Sequence, residues 1–333
     1  MRILIAGGAG YVGSALIPKL IERRYLVDVV DLFWFGNHLD TQVGVLHKDI
    51  FDLQKSDLSG YDQVIFLAGL SNDPMAEFSP SKNFIFNAAA PAYLAYTAKQ
   101  AGVARFIYAS SCSVYGYTEN ELFDEDGPAT SSYPYGISKL QGERAVLQMC
   151  SSDFSVIALR KGTVSGYSPR MRFDLLVNTM FKTAMNEGVI RVSNPTIWRP
   201  FLSIEDASIA YTRAIEANER LSGVFNIASG NATLGEIADR VKATLEKEIG
   251  VKIDLEINRV NDVRNYKVSI ERARNVLSYH PRHDVESIVR DLIANQSQCN
   301  DWDNPSYYNI RVFRDQELAS SLELVEAQTG RSS

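Results

Sequence analysis

Residues 7–13 read Gly7-Gly8-Ala9-Gly10-Tyr11-Val12-Gly13. They lie between a short apolar run, residues 3–6, and a stretch of helical period, residues 11–24. Gly8, Gly10 and Gly13 fit the dinucleotide fingerprint, and Gly7, Gly10 and Gly13 fit a variant spacing with the same physics. Glycine permits a tight turn and lets the backbone approach a pyrophosphate, while the next helix points its free N–H groups at that anion. A tight turn alone would explain an isolated triplet. Here a strand precedes the turn, a helix follows it, and Asp31 ends the next apolar run, residues 27–31. An acid about 20 residues beyond the turn holds the adenosine ribose hydroxyls. Gly7, Gly10, Tyr11, Val12, Gly13 and Asp31 are therefore the expected cofactor contacts. Asp31 would repel a ribose phosphate, and Leu32-Phe33-Trp34-Phe35 supplies no base, so NAD is favoured over NADP. Pro18 falls inside the helix and is expected to kink it.

Working outward, strands are expected at 63–68, 105–109 and 155–160, with helices at 81–101 and 133–149 between them. This alternation implies a parallel sheet covered on both faces, a Rossmann-type doubly wound α/β fold. From about residue 162 the rhythm changes to helices at 173–186, 205–218 and 233–248, separated by short strands and loops. No Pro/Gly/Ser-rich linker divides the chain. The expected organisation is an NAD-binding core over 1–165, with residues 195–230 contributing later. A smaller α/β cap over 166–300 would bind substrate, and an extension over 301–333 would dock in part through Trp302, Tyr307, Tyr308 and Phe313.

The composition is that of an ordinary globular protein: of 333 residues, 45% are hydrophobic and 22% charged. The net charge of -6 argues against a general affinity for nucleic acid. Cys112, Cys150 and Cys299 are scattered and lack metal-ligand spacing, which suggests reduced thiols in a cytoplasmic protein and no metal. The opening apolar run is too short for a signal core, and no apolar stretch is long enough to cross a membrane.

Tyr135-Gly136-Ile137-Ser138-Lys139 places a tyrosine and a lysine four apart, on one helical face. A nearby ammonium favours the phenolate and lowers the tyrosine pKa, allowing the phenol to exchange a proton with a substrate hydroxyl. This spacing is common by chance. Its weight comes from Ser110-Ser111-Cys112-Ser113-Val114-Tyr115-Gly116, which follows the strand expected at 105–109. A hydroxyl at such a strand end can hydrogen-bond the reacting oxygen.

With these motifs together the chain resembles an extended short-chain dehydrogenase/reductase, of the group of nucleotide-sugar epimerases and dehydratases. The resemblance spans roughly residues 1–295. It implies Ser111, Tyr135 and Lys139 as catalytic residues, with Lys139 also holding the nicotinamide ribose. It implies Asp49 and Ile50 at the adenine and Ala68, Gly69 and Leu70 along the cofactor, where the family more often shows Ala-Ala. Asn87 occupies the family's asparagine position on the helix before the catalytic strand. On the substrate side, Arg199 in Trp198-Arg199-Pro200 and Arg259 and Arg264 in Arg259-Val260-Asn261-Asp262-Val263-Arg264 resemble segments that bind a diphosphate. Arginine grips such an anion bidentately. Asn178 matches a family asparagine near the nucleotide. Arg170 and Arg172 lie in that loop, but Asp174 offers them a structural partner. Thr163 departs from the asparagine common in sugar epimerases.

Three chemistries share the first oxidation step. Dehydratase relatives carry Asp-Glu directly after the catalytic hydroxyl; here those positions are Cys112 and Ser113. The glutamate of decarboxylase relatives is likewise missing at 113. Cys112 reads as a small packed residue. The resemblance therefore favours a 4-epimerase acting on a nucleoside diphosphate sugar. The alternatives are an NAD(P)H-dependent reductase of a 4-keto nucleotide sugar and a non-catalytic NAD-binding sensor or scaffold. A homodimer is expected, through the helices at 81–101 and 133–149. The apolar surplus Phe84, Ile85, Tyr93, Leu94 and Tyr96 would be buried between copies.

Overall fold

The structure, a computed structural model, describes residues 1–258 and 264–329. Arg259 lies outside the described residues.

Seven strands form one sheet in the order Gly223–Ile227, Ser155–Lys161, Arg105–Ser111, Gln63–Phe66, Arg2–Ala6, Leu26–Asp31 and Gly44–His47, every neighbouring pair parallel. The chain starts in the middle of the sheet, moves to one edge, returns past the first strand at Gln63–Phe66 and continues to the other edge. That reversal is the switch point of a doubly wound sheet, where a crevice opens beyond the carboxyl ends of the strands. The expected Rossmann-type fold is present.

The strands are continuous apolar runs because both faces are buried. Ile3, Ile5, Ile65 and Ile107 pack on one side with Leu16, Ile17 and Leu20 of the helix Tyr11–Glu22 and with Ala207 and Tyr211 of the helix Ile204–Glu216. The alternate residues Leu4, Val64, Phe66 and Phe106 pack on the other side with Leu94, Ala95 and Ala98 of the helix Ala90–Gln100. Pro18 lies inside the helix Tyr11–Glu22, which continues through it.

A second core joins the helices Leu176–Glu187, Leu234–Ile249 and Val285–Ala294 around Phe173, Phe181 and Ile237. Trp302 and Tyr307 pack edge-on against Phe173 at 5.1 and 5.6 Å. The chain then forms a helix, Asn309–Thr329, that the sequence did not suggest. Its Phe313 is fully buried and stacks on Trp34, with ring centres 5.9 Å apart. The C-terminal segment thus reaches back to the loop that follows Asp31.

The helix expected over 81–101 runs from Pro80 to Gln100 but is interrupted by a π-helical turn, Ile85–Ala89. Leu94 is core rather than surplus, whereas Ile85 and Tyr96 are exposed.

Candidate functional site

A continuous cleft runs along the carboxyl ends of the strands. It is lined at one end by Gly10, Asp31, Asp49 and Ile50, in the middle by Ser111, Tyr135, Lys139 and Lys161, and at the other end by Arg199, Arg264 and Tyr266.

The glycine turn builds the first end. Gly7 has φ +77°, and a Cβ there would stand 2.4 Å from the backbone nitrogen of Ala68. Only glycine lets this turn nest against the loop after Gln63–Phe66. Gly10 caps the helix Tyr11–Glu22 without a side-chain hydrogen bond, so the helix presents bare N–H groups to the cleft. Gly7, Tyr11, Val12, Ala68 and Gly69 also line it, whereas Gly13 packs against the Gly8 carbonyl below the turn. Asp31 accepts hydrogen bonds from Ala9 N at 3.0 Å and Phe33 N at 2.8 Å. Burial raises its pKa, opposed by these bonds and by Arg170. A backbone cradle at a helix N-terminus, with a carboxylate one strand away, fits a dinucleotide.

Asn87 is fully buried and does not line the cleft. Its amide donates to the Leu70 carbonyl at 2.9 Å and so holds the cleft-lining loop from beneath. Gly69 above it has φ +116°, and a Cβ there would meet Asn87 Oδ1 at 2.2 Å. In this chain that close approach leaves room only for glycine at position 69. Asn87 lies in the π-helical turn.

Ser111, Tyr135 and Lys139 come together in the middle of the cleft. Ser111 ends the strand Arg105–Ser111, and its Oγ lies 2.7 Å from Ser113 Oγ. Tyr135 and Lys139 lie on the helix Pro134–Leu147, with Lys139 Nζ 5.9 Å from the Tyr135 ring centre. Lys139 is buried and donates to the Ala109 carbonyl at 3.2 Å. Burial, with a further push from Lys161, pulls its ammonium down to about 7. Burial raises the Tyr135 phenol; Asp73 adds to this, while a hydrogen bond from Ser111 and the charge of Arg172 oppose it. The expected depression of the tyrosine pKa is thus not produced by these side chains alone, because desolvation outweighs the neighbouring positive charge.

Lys161 was missed at the sequence level. It ends the strand Ser155–Lys161 in register with Ser111, sits 5.7 Å from the Tyr211 ring centre and is pulled down to about 8, first by burial and then by Arg172. Its position at the carboxyl end of an expected parallel strand is the signal that could have found it. Cys112 is buried and donates to the Arg160 carbonyl at 3.1 Å, in agreement with a packing role.

At the far end of the cleft, Arg199 and Arg264 converge. Arg199 Nη1 donates to the carbonyls of Trp198, at 3.0 Å, and Arg264, and its guanidinium lies 5.3 Å from the Tyr266 ring centre. Arg264 pairs with Asp73 and lies 5.1 Å from the Tyr133 ring centre. Asn178, by contrast, is spent on the fold. Its Oδ1 accepts from Gly166 N at 2.8 Å, and its amide donates to the Arg172 carbonyl at 2.8 Å and to Tyr11 Oη at 3.2 Å. Sequence position alone could not show that a buried turn consumes this amide. Arg172 pairs with Asp174 through bonds of 2.8 and 3.0 Å. Among the described residues, no three His, Cys, Asp or Glu side chains come together as a metal site, and no helix is long and apolar enough to cross a membrane.

The sequence-family model described as "NAD dependent epimerase/dehydratase family" matches residues 3–228. The chain is 26% identical over 323 residues to a UDP-glucose 4-epimerase of Corynebacterium glutamicum, covering 90% of this chain and 97% of that protein. It is 28% identical over 302 residues to UDP-glucuronic acid decarboxylase 3 of Arabidopsis thaliana, covering 85% of each. Among solved structures, MoeE5 in complex with UDP-glucuronic acid and NAD superposes with a TM-score of 0.79 at 25% identity, over 90% of this chain and 99% of that one.

Proposed function

We propose that this chain, which belongs to the NAD-dependent epimerase/dehydratase family, is a 4-epimerase of a nucleoside diphosphate sugar. The observation that carries this reading is that, among the described residues, no uncommitted carboxylate lies around Ser111. Positions 112 and 113 are a buried cysteine and a serine bonded to Ser111. Of the acids that line the cleft, Asp73 is paired with Arg264 and Asp174 with Arg172, while Asp31 and Asp49 lie at the glycine-turn end. Elimination of water needs an acid–base pair beside the oxidised carbon. Epimerisation needs only reversible proton transfer and room for the sugar to turn.

Bound NAD supplies a hydride acceptor and donor, and a positively charged ring in its oxidised form. Ser111 holds the reacting sugar oxygen by a hydrogen bond. Tyr135 accepts the proton of that hydroxyl and later returns it. Lys139 stabilises the phenolate when charged. Arg199 and Arg264 hold the diphosphate, with Arg259 as a third candidate. UDP-sugars are the first substrates to try, since the relatives named above are described with them.

The test is incubation with NAD and a panel of UDP-sugars, followed by NMR of the products. Interconversion of 4-epimers without net change in absorbance at about 340 nm is expected from a hydride that returns within one cycle. Release of water or carbon dioxide, or stoichiometric formation of NADH as a reductase would give in reverse, would replace the epimerase reading with a lyase or a reductase.

A further inference from the structure

Arg170 is an arginine for which the reading above has no use. It is 2% exposed and lines the cleft, yet its Nε and Nη1 have no hydrogen-bond partner within the protein. A buried guanidinium left in this state is costly unless an anion completes it. Arg172, two residues on, differs in this respect: Asp174 neutralises it through two bonds.

Three contacts fix Arg170 in place. Its guanidinium lies 3.8 Å from the ring centre of Phe35, in the loop after Asp31. Its Nη2 donates to Asn309 Oδ1, and Asn309 in turn donates to Ser71 Oγ at 2.6 Å. Its loop is pinned to the glycine turn, because Ser168 Oγ donates to the Tyr11 carbonyl at 2.7 Å. The guanidinium is thus packed on the loop after Asp31, and its own loop is tied to the first residue of the helix Tyr11–Glu22. Burial and Arg172 pull the Arg170 guanidinium down to about 9, with Asp174, Tyr11 and Asp31 opposing, so an added anion would relieve a real cost.

The geometry points to Arg170 as a cofactor-retaining residue, donating Nε–H and Nη1–H to the dinucleotide diphosphate from the side opposite the glycine turn. Asn309 of the C-terminal segment acts as its positioning residue. This assignment rests on the NAD-binding reading. It gives a purpose to the C-terminal segment, which lies beyond the residues matched by the family. An enzyme that must return a hydride within one cycle gains from holding its cofactor at both faces of the diphosphate.

The experiment is calorimetric titration of the wild type, Arg170→Gln and Asn309→Ala with ADP-ribose, adenosine and UDP. Arg170→Gln is expected to weaken ADP-ribose about 10- to 100-fold, the scale of a charge-assisted hydrogen bond, and to leave adenosine and UDP within about twofold. Asn309→Ala is expected to weaken ADP-ribose by a smaller factor. Unchanged ADP-ribose affinity in Arg170→Gln would overturn the assignment. So would equal loss of adenosine, which marks a damaged fold, or selective loss of UDP, which would place the arginine on the substrate. A wild type that binds no ADP-ribose would instead remove the NAD-binding reading itself.

Discussion

Arg160 grips the Glu143 carboxylate with two buried bonds, 3.0 Å from Nε to Oε2 and 2.7 Å from Nη2 to Oε1. Arg160 lies on the strand that ends at Lys161, and Glu143 lies on the helix that carries Tyr135 and Lys139. Ser110, beside Ser111, donates to the same carboxylate at 2.6 Å. One ion pair therefore ties together the three elements that converge on the middle of the cleft. Glu143→Ala leaves a buried guanidinium without its anion and is expected to cost about 3–5 kcal/mol. Urea unfolding measures it. A loss below about 1 kcal/mol, typical of an exposed pair, would show that water reaches this pair.

Tyr135→Phe keeps the ring and removes only the oxygen that moves a proton. Turnover is expected to fall about 10²- to 10⁴-fold, the usual share of general acid–base catalysis. The dissociation constant for NAD should stay within about twofold, because the residues proposed for the pyrophosphate and adenosine line the other end of the cleft. Turnover within about tenfold of wild type would remove Tyr135 from the proton path.

The parts legible in the sequence were those set by local pattern. The glycine turn, Asp31 and the buried strands announce themselves because each depends on residues close in sequence. What escaped depends on packing at long range. Asn178 and Asn87 match cofactor or substrate positions by sequence, yet Asn178 bonds the backbone of Gly166 and Arg172, and Asn87 lies buried beneath the cleft-lining loop, its Nδ2 donating to the Leu70 carbonyl. Arg170 and Arg172 look equivalent in Pro169-Arg170-Met171-Arg172, and only the fold decides which one Asp174 takes. The helix Asn309–Thr329 could not be placed beside the cleft, because its anchor is a stack between Phe313 and Trp34, 279 positions apart (313 − 34).

The lysine at position 139 makes stability depend on pH. Its folded pKa is about 7, against about 10.4 in an unfolded chain. Between those values the unfolded state binds more protons, so this group makes stability rise with pH from about 7 upward and imposes its full penalty below that. Lys161, pulled down to about 8, acts with the same sign. Lys139→Met should therefore flatten the rise of the urea midpoint between about pH 7 and pH 9. A slope identical to wild type would mean that the buried amine keeps its proton.

A homodimer is proposed from a narrower surface than the sequence suggested. Ile85 and Tyr96 are 44% and 57% exposed, and Ala89, between them in sequence, is exposed too, an apolar stripe on this helical segment. Isologous pairing of this stripe across a two-fold axis would cover it. Light scattering should report a dimer for the wild type, and Tyr96→Arg should shift it towards monomer without loss of helical signal. A wild-type monomer at micromolar concentration would end this proposal.

The proposed diphosphate clamp makes the sharpest demand on the substrate. Arg199 is 9% exposed, and its Nη1 donates to the carbonyls of Trp198 and Arg264. Tyr266 beneath it supplies a face on which the charge can rest. Such a group at the cleft wall binds an anion better than a neutral sugar. The glycine turn and Arg170 are the groups proposed for the cofactor diphosphate, and they lie at the other end of the cleft, so the anion proposed for Arg199 belongs to the other ligand. Arg199→Ala should weaken a UDP-sugar by about 1.5–3 kcal/mol, the range for hydrogen bonds to charged groups, and leave NAD affinity nearly unchanged. Equal loss of both ligands would mean that Arg199 shapes the cleft as a whole. Saturation by free sugar as readily as by its nucleotide form would remove the clamp, and with it the argument that this enzyme acts on a nucleoside diphosphate.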